Sequence, residues 1–366
     1  MSTQVKDSPR LERMDIARGF GILIVVLGHN EACSRGSVAF QIIYSFHVPL
    51  FFFISGFFHR FTPPLSSDIG KRARKLLLPY LLTGLGIVLI KAIFNPHTAV
   101  LMMMGLAWGA GGSGTPYSFL YWPPVWFLTS LFITQVSFSI LHPFLLRAPT
   151  AARYISGAAL LLLGIYYIHN WGEVYFPNSK MLSNETGLLW NLDLLPATLF
   201  FYWLGWECQN KAIIEKYLSF RSGVPALAIF LTLFVTYCTL NAKGGFAWVL
   251  DLNRREYGHA VFTTTGAILG IMTILATSEW MAKSLTYSAR KAIANLGMQS
   301  LSVLIFHHFF QENMRQILST LDMPDVLRCS MTWTAGVTAP LLLNSLIFQR
   351  FKILQTLYGN PSIPKE

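Results

Sequence analysis

Apolar stretches of about the length of a bilayer crossing recur along almost the whole chain, and they leave few solutions for its fold. Bounded by charge, proline or glycine, they fall at 14–32, 38–58, 76–95, 122–142, 154–170, 189–206, 224–241, 258–278, 295–313 and 330–349. A spanning helix needs about 20 mostly apolar residues, so the expected fold is an all-α integral membrane protein of about ten transmembrane helices. Composition agrees. Of 366 residues, 53% are hydrophobic and 12% charged, whereas a soluble domain carries about 25% charged residues. The 28 Phe, 14 Tyr and 10 Trp hold too much apolar surface for a solvated, disordered chain. Residues 98–110 are apolar but short and lead into the glycine-rich run 109–114, which reads as a re-entrant or interfacial segment or, alternatively, as an eleventh span.

The net charge of +11 would suggest nucleic acid in a soluble protein, but in a membrane protein it reports topology. With ten spans, 20 of the 28 Lys and Arg fall on the termini and even-numbered junctions, 7 on the odd junctions, and Lys91 lies within a span. That asymmetry places both termini in the cytoplasm, with 1–13 as a cytoplasmic N-terminal segment and 350–366 as a cytoplasmic tail of one membrane-embedded domain, 1–366. Cys33, Cys208, Cys238 and Cys329 show neither disulfide nor metal-ligand spacing, and no metal is expected. The first apolar run follows a polar, basic segment and is expected to stay as a signal anchor.

The first apolar stretch carries Arg18 and His29. Eleven steps of 100° bring them to within about 20° of one face, roughly 16 Å apart along a helix. A guanidinium at the cytoplasmic boundary can grip a phosphate bidentately, and that separation is close to the reach of a phosphopantetheine arm, so an anionic carrier held at Arg18 would present its thioester at His29. Arg18 taken alone equally fits a topology anchor. His29 is the sharper signal, because ionisable groups inside a membrane are costly and are usually retained for function. Before the third stretch, Arg60, Lys71, Arg72, Arg74 and Lys75 face only Asp68. Such a density suits the phosphates of coenzyme A or, alternatively, lipid headgroups.

Five segments together resemble membrane-bound acyltransferase family 3, most closely its fucose 4-O-acetylase-like branch. They are RMDIARGFGILIVVLGH (13–29), FHVPLFFFISGFF (46–58), KRARKLLLPY (71–80), VWFLTSLF (125–132) and LGMQSLSVLIFHHFF (296–310). The resemblance implies transfer of an acyl group, usually acetyl from cytoplasmic acetyl-CoA, to a hydroxyl of a sugar or lipid-linked glycan such as an exopolysaccharide or O-antigen. It implies a multi-pass protein of the bacterial inner membrane, no tightly bound cofactor, and contact with membrane lipids and glycan-assembly machinery rather than nucleic acid. It assigns the essential histidine to His29 and the helix-1 arginine to Arg18. The family's basic pair falls on Lys71 and Arg74 or on Arg72 and Lys75. No glutamate follows Trp126 within the fourth segment, which leaves His29 without an obvious carboxylate partner.

Further candidates surround these. Ser55 is positioned to donate a hydrogen bond along a thioester channel, and with Gly56 it permits close helix approach. His307 lies at a depth similar to His29, and with His47 the two would line a polar chamber, His308 facing elsewhere. Asp193, Asp251, Arg254, Arg255 and Tyr257 are placed to bind an acceptor glycan, with Tyr117, Tyr121, Trp122 and Trp126 either stacking on a pyranose or forming the interfacial belt. Glu31 reaches His29 only if the first helix ends there. His29 acts as general base or through an acetyl-imidazole relay. The alternatives are a transporter or flippase for a small glycan or acylated metabolite, against which no inverted repeat or matched broken helices are found, and a purely structural subunit of a polysaccharide assembly.

Overall fold

The computed structural model describes residues 9–111, 122–175, 187–217, 224–244 and 248–358. Its helices are α1 (Pro9–Gly28), α2 (Val38–Phe57), α3 (Leu65–Phe94), α4 (Ala99–Trp108), α5 (Trp126–Arg147), α6 (Thr150–Tyr175) and α7 (Leu195–Asn210). They continue with α8 (Ile213–Tyr217), α9 (Val224–Gly244), α10 (Ala260–Ser284), α11 (Tyr287–Met298), α12 (Ser300–Leu318), α13 (Asp325–Leu346) and α14 (Lys352–Tyr358). A two-residue hairpin pairs β1 (Leu250–Asp251) antiparallel with β2 (Glu256–Tyr257). Among the described residues seven helices are long and apolar enough to cross a membrane: α2, α3, α5, α6, α9, α10 and α13. Every apolar stretch of the sequence is helical, but α1, α7 and α12 fall short of that measure. They carry Arg18 (α1), Glu207 (α7), and His307 with Glu312 (α12), and α7 is also short, at 16 residues.

Three boundaries differ from the sequence reading. The third helix begins at Leu65 and not near 76, because Lys, Arg and Leu are good helix formers and no proline intervenes between Pro64 and Pro79; the basic cluster is therefore helical. The ninth stretch is divided at Gln299, whose non-helical backbone separates α11 from α12. Residues 98–110 form a helix of 10 residues that ends at left-handed Gly109, about half the length a crossing requires.

The chain forms two compact units. In the first (Met1–Phe51, Lys211–Val249 and Val261–Glu366), α1 lies against α11, α12 and α13. Ile22, Val25 and Val26 of α1 meet Val303 of α12 and Val337 of α13 in a core closed by Leu23, Leu296 and Trp333. At its other end α1 touches α11 backbone to backbone: a Cβ on Gly19 would collide with the Ile293 carbonyl, and one on Gly297 with the Asp15 carbonyl. Ion pairs reinforce this end, Arg13 to Glu279 at 2.8 Å, Lys283 to Glu279 at 2.6 Å and Arg290 to Glu12 at 3.0 Å. We expect Gly297→Val to strip most of the protein from the folded, detergent-extractable fraction, measured by fluorescence-detected size exclusion. No side-chain rotation relieves a clash with a carbonyl, and overpacking costs ~1–3 kcal/mol even where neighbours can shift.

In the second unit (Phe52–Asn210 and Leu250–Ala260), α5 packs on α3 and α7, and α6 on α7. Small residues set these contacts: Gly56 of α2 abuts the Tyr202 carbonyl, Gly205 of α7 the Phe53 carbonyl, and Gly164 of α6 the Ala197 backbone. This is the close approach read from Ser55 and Gly56, and it is how helices pack where lipid is as apolar as the side chains.

Candidate functional site

The first helix stops at Gly28, and the next residues are turned into place by Asn30, whose side-chain oxygen accepts from the Ala32 N–H at 3.0 Å and caps a short turn, Glu31–Cys33. The Asn30 amide donates to Thr332 Oγ1 at 2.8 Å and to the Cys329 carbonyl at 3.0 Å, fixing the turn to α13. His29 therefore sits one residue beyond α1, its N–H still bonded to the Val25 carbonyl at 3.2 Å, and its side chain is exposed. Arg18 lies three turns earlier on α1, half-buried and 3.3 Å from Asp15.

The structure brings His29, His47 and His307 into one neighbourhood within the first unit. His307 stacks on His29 with ring centroids 5.2 Å apart, while Tyr44 lies edge-on to His29 at 6.3 Å and to His47 at 4.5 Å. The rings differ in freedom. His47 Nδ1 is 2.9 Å from the Ile43 carbonyl, and His307 Nδ1 is 2.9 Å from the Val303 carbonyl and 3.0 Å from that of Leu304. A carbonyl only accepts, so both rings carry the proton on Nδ1 and hold one tautomer. His29 has no such lock among the described residues; its Nδ1 meets the Tyr44 hydroxyl at 3.5 Å, a long contact. Of the three it is the one with an exposed ring.

His29 opens into a cleft of about 220 Å³ whose walls include Glu31, His308, Gln311, Glu312 and Arg315. His308, read from the sequence as facing elsewhere, borders the cleft with its ring 6.2 Å from that of His29. Both residues adjoin His29 because it projects from a turn beyond the helix rather than from the helix side. The missing carboxylate is here too: Glu31, brought round by the end of α1, and Glu312 both line the cleft, bridged by Arg315, which is 3.6 Å from Glu31 and bonded to Glu312. Gln311, Glu312 and Arg315 are not among the residues the sequence singles out, and His308 is singled out only as facing elsewhere. Their signal was the spacing 308, 311, 312, 315, a polar stripe along one face of an otherwise apolar helix.

The model of an acyltransferase domain, that of acyltransferase family 3, matches residues 11–348. The chain belongs to this family. The match covers both units and nearly all of the described helices, so the membrane acyltransferase activity of the family extends to the whole chain and not to one segment. Comparisons with curated proteins and with solved structures returned no match.

The other residues singled out in this acyltransferase lie in the second unit. On α3, Arg72 is fully engaged: it donates to Asp68 Oδ2 at 2.7 Å and Oδ1 at 3.2 Å, to Gln135 Oε1 at 3.1 Å and to the Arg60 carbonyl at 3.2 Å. Asp68 also accepts from Ser139 Oγ at 2.7 Å, so this pair ties α3 to α5. Lys71, Arg74 and Lys75 are exposed, and Lys71 and Arg74 form no ion pair among the described residues. Nearby His59 donates or accepts with the Tyr202 hydroxyl at 2.9 Å; burial, and then the Arg72 guanidinium, push it down to about 3, so it is neutral at ordinary pH. Ser55 is half-buried on α2.

Of the residues read as acceptor ligands, Asp193, Asp251, Arg255 and Tyr257 are buried and Arg254 is exposed. Asp193 and Arg255 pair at 2.8 Å with side chains 2% and 1% exposed. Asp193 Oδ1 accepts from the Leu188 N–H at 2.9 Å, and Arg255 also donates to the carbonyls of Gly111 and Asn253 and to Asn191 Oδ1. Asn191 and Arg255 hold left-handed backbones with φ of 62° and 58°, which cost energy outside glycine and persist only where surroundings dictate them. Asp251 accepts from the Arg254 N–H at 3.2 Å and, like Tyr257, is buried in the hairpin. These groups knot the loops around 109–111, 187–194 and 250–257 together. Trp126 is buried rather than interfacial, and Tyr117 and Tyr121 lie outside the described residues.

Proposed function

We propose that this protein is a transmembrane O-acyltransferase of the fucose 4-O-acetylase-like branch, moving acetyl from cytoplasmic acetyl-CoA to a hydroxyl of an extracytoplasmic or lipid-linked sugar. The observation that carries the reading is the difference among the histidines: His29 is exposed in a cleft and has no backbone bond to its ring among the described residues, while His47 and His307 are buried and held to carbonyls. A neutral imidazole takes the hydroxyl proton as the oxygen attacks the thioester carbonyl; the C–S bond breaks and the leaving thiolate takes that proton. Glu31 and Glu312 at the cleft walls offset positive charge developing on the ring.

In this reading ten helices cross the inner membrane of a bacterium with both termini in the cytoplasm, as the distribution of Lys and Arg supports. Donor phosphates fall to the exposed Lys71, Arg74 and Lys75 of the second unit, while Arg72 acts by holding the start of α3. The two kinds of basic residue separate on mutation. Lys71→Ala with Arg74→Ala is expected to raise KM for acetyl-CoA about tenfold with kcat within about twofold, the signature of lost ground-state binding. Arg72→Ala leaves buried Asp68 unpaired and is expected to lower the yield of folded protein instead. Acetyl-CoA titration of the purified variants checks both. Mass spectrometry of the cell-surface glycan with and without the gene tests the function itself: loss of one acetyl per repeat is expected, and an unchanged mass overturns it.

A further inference from the structure

One turn apart on α12, His307 and Gln311 present two acceptor atoms with nothing to accept. Both side chains are buried, His307 completely and Gln311 to within 4%. Each side chain also makes a donor bond of its own. His307 Nδ1–H is committed to the Val303 and Leu304 carbonyls, and the Gln311 amide nitrogen donates to the Val26 carbonyl at 3.0 Å. What remains is His307 Nε2 and Gln311 Oε1, and neither has a partner among the described residues. A buried acceptor left without a donor is unfavourable, and residues four apart share a helix face. His307 stacks on His29, and Gln311 stands in the wall of the His29 cleft.

These atoms specify their ligand. Two buried acceptors without a donor favour a ligand that brings O–H groups. The charge of the cleft adds a second condition: the carboxylates of Glu31 and Glu312 are met by Arg315 and, behind Glu31, by Arg328 at 3.3 Å, so the walls hold no uncompensated cation that would call for an anionic ligand. Resting on the reading of His29 as the base, we propose that Gln311 is the residue that selects the acceptor, its Oε1 accepting a hydroxyl hydrogen of a neutral polyol held in the cleft.

The test uses the full chain purified in detergent, with binding followed by saturation-transfer NMR and titration apart from any acyl transfer. The probes are a neutral methyl pyranoside, its fully O-methylated counterpart and the corresponding uronate. Wild-type protein is expected to bind the methyl pyranoside at least about tenfold more tightly than the O-methylated sugar, which keeps its acceptors but has no donors, and more tightly than the uronate. Gln311→Met, matched in length, is expected to lose that preference while its acetyl-CoA affinity stays the same. Equal binding of methyl pyranoside by wild type and Gln311→Met, or indifference of wild type to O-methylation, overturns the proposal without any appeal to folding in the latter case. Gln311-dependent pyranoside binding in a protein that transfers no acetyl supports this assignment and overturns the acyltransfer chemistry, so the two failures are told apart.

Discussion

Replacing His29 by alanine is expected to lower acetyl transfer by ~10²–10⁴-fold, the contribution typical of a positioned general base. Stability should hardly change. The imidazole is exposed, and beside its ring contacts it makes one long hydrogen bond, to the Tyr44 hydroxyl at 3.5 Å, so its removal strands no buried donor. The same substitution at His307 has the opposite profile, because that ring is completely buried and holds two carbonyls of its own helix. His307→Ala should therefore reduce the unfolding temperature in detergent as well as activity. Both measurements on both variants decide the matter: transfer by His29→Ala within about threefold of wild type would remove the histidine from the chemistry.

A second large effect belongs to stability alone. Arg255→Ala leaves the Asp193 carboxylate buried beside Asn191 with its main partner gone, and the Gly111 and Asn253 carbonyls lose a donor each. Breaking a buried pair from one side costs ~3–5 kcal/mol, comparable with the stability margin of many proteins. Asp193→Leu together with Arg255→Met should recover part of that loss, since no charge is then stranded. Thermal unfolding in detergent of the single and double variants measures it. A double variant less stable than Arg255→Ala would show that the knot is held by the arginine's carbonyl bonds and not by the ion pair.

What the sequence disclosed and what it withheld divide along a physical line. The ten helical stretches were legible because lipid imposes a long apolar run on each, and the pairing of His29 with His307 followed from counting residues along two helices running the same way. The fate of Arg72 was not: reading 59–75 as a loop hid the four-residue spacing to Asp68, which becomes a contact only once both lie on α3. Asp193 and Arg255 are 62 residues apart, and neither has a local pattern that names the other. A carboxylate and an arginine facing sugar look the same in sequence as a carboxylate and an arginine facing each other. His308 and Gln311 were obscured by a different assumption, that His29 would project from a helix side, whereas α1 ends one residue too early for that.

The helices that hold the chemistry are the ones a bilayer would accept least willingly alone. On α12, His307, His308, Gln311, Glu312 and Arg315 lie within nine positions, and charged groups near a helix centre each oppose insertion by ~2.5–3.5 kcal/mol. Its apolar partner α13, joined by a short connection and packed along it, has the hydropathy to cross unaided. During synthesis α12 would therefore await α13 and enter the membrane as half of a hairpin, its polar stripe shielded from lipid from the outset. The His29 cleft, whose wall includes Thr332 of α13, would be complete only once that helix is in place.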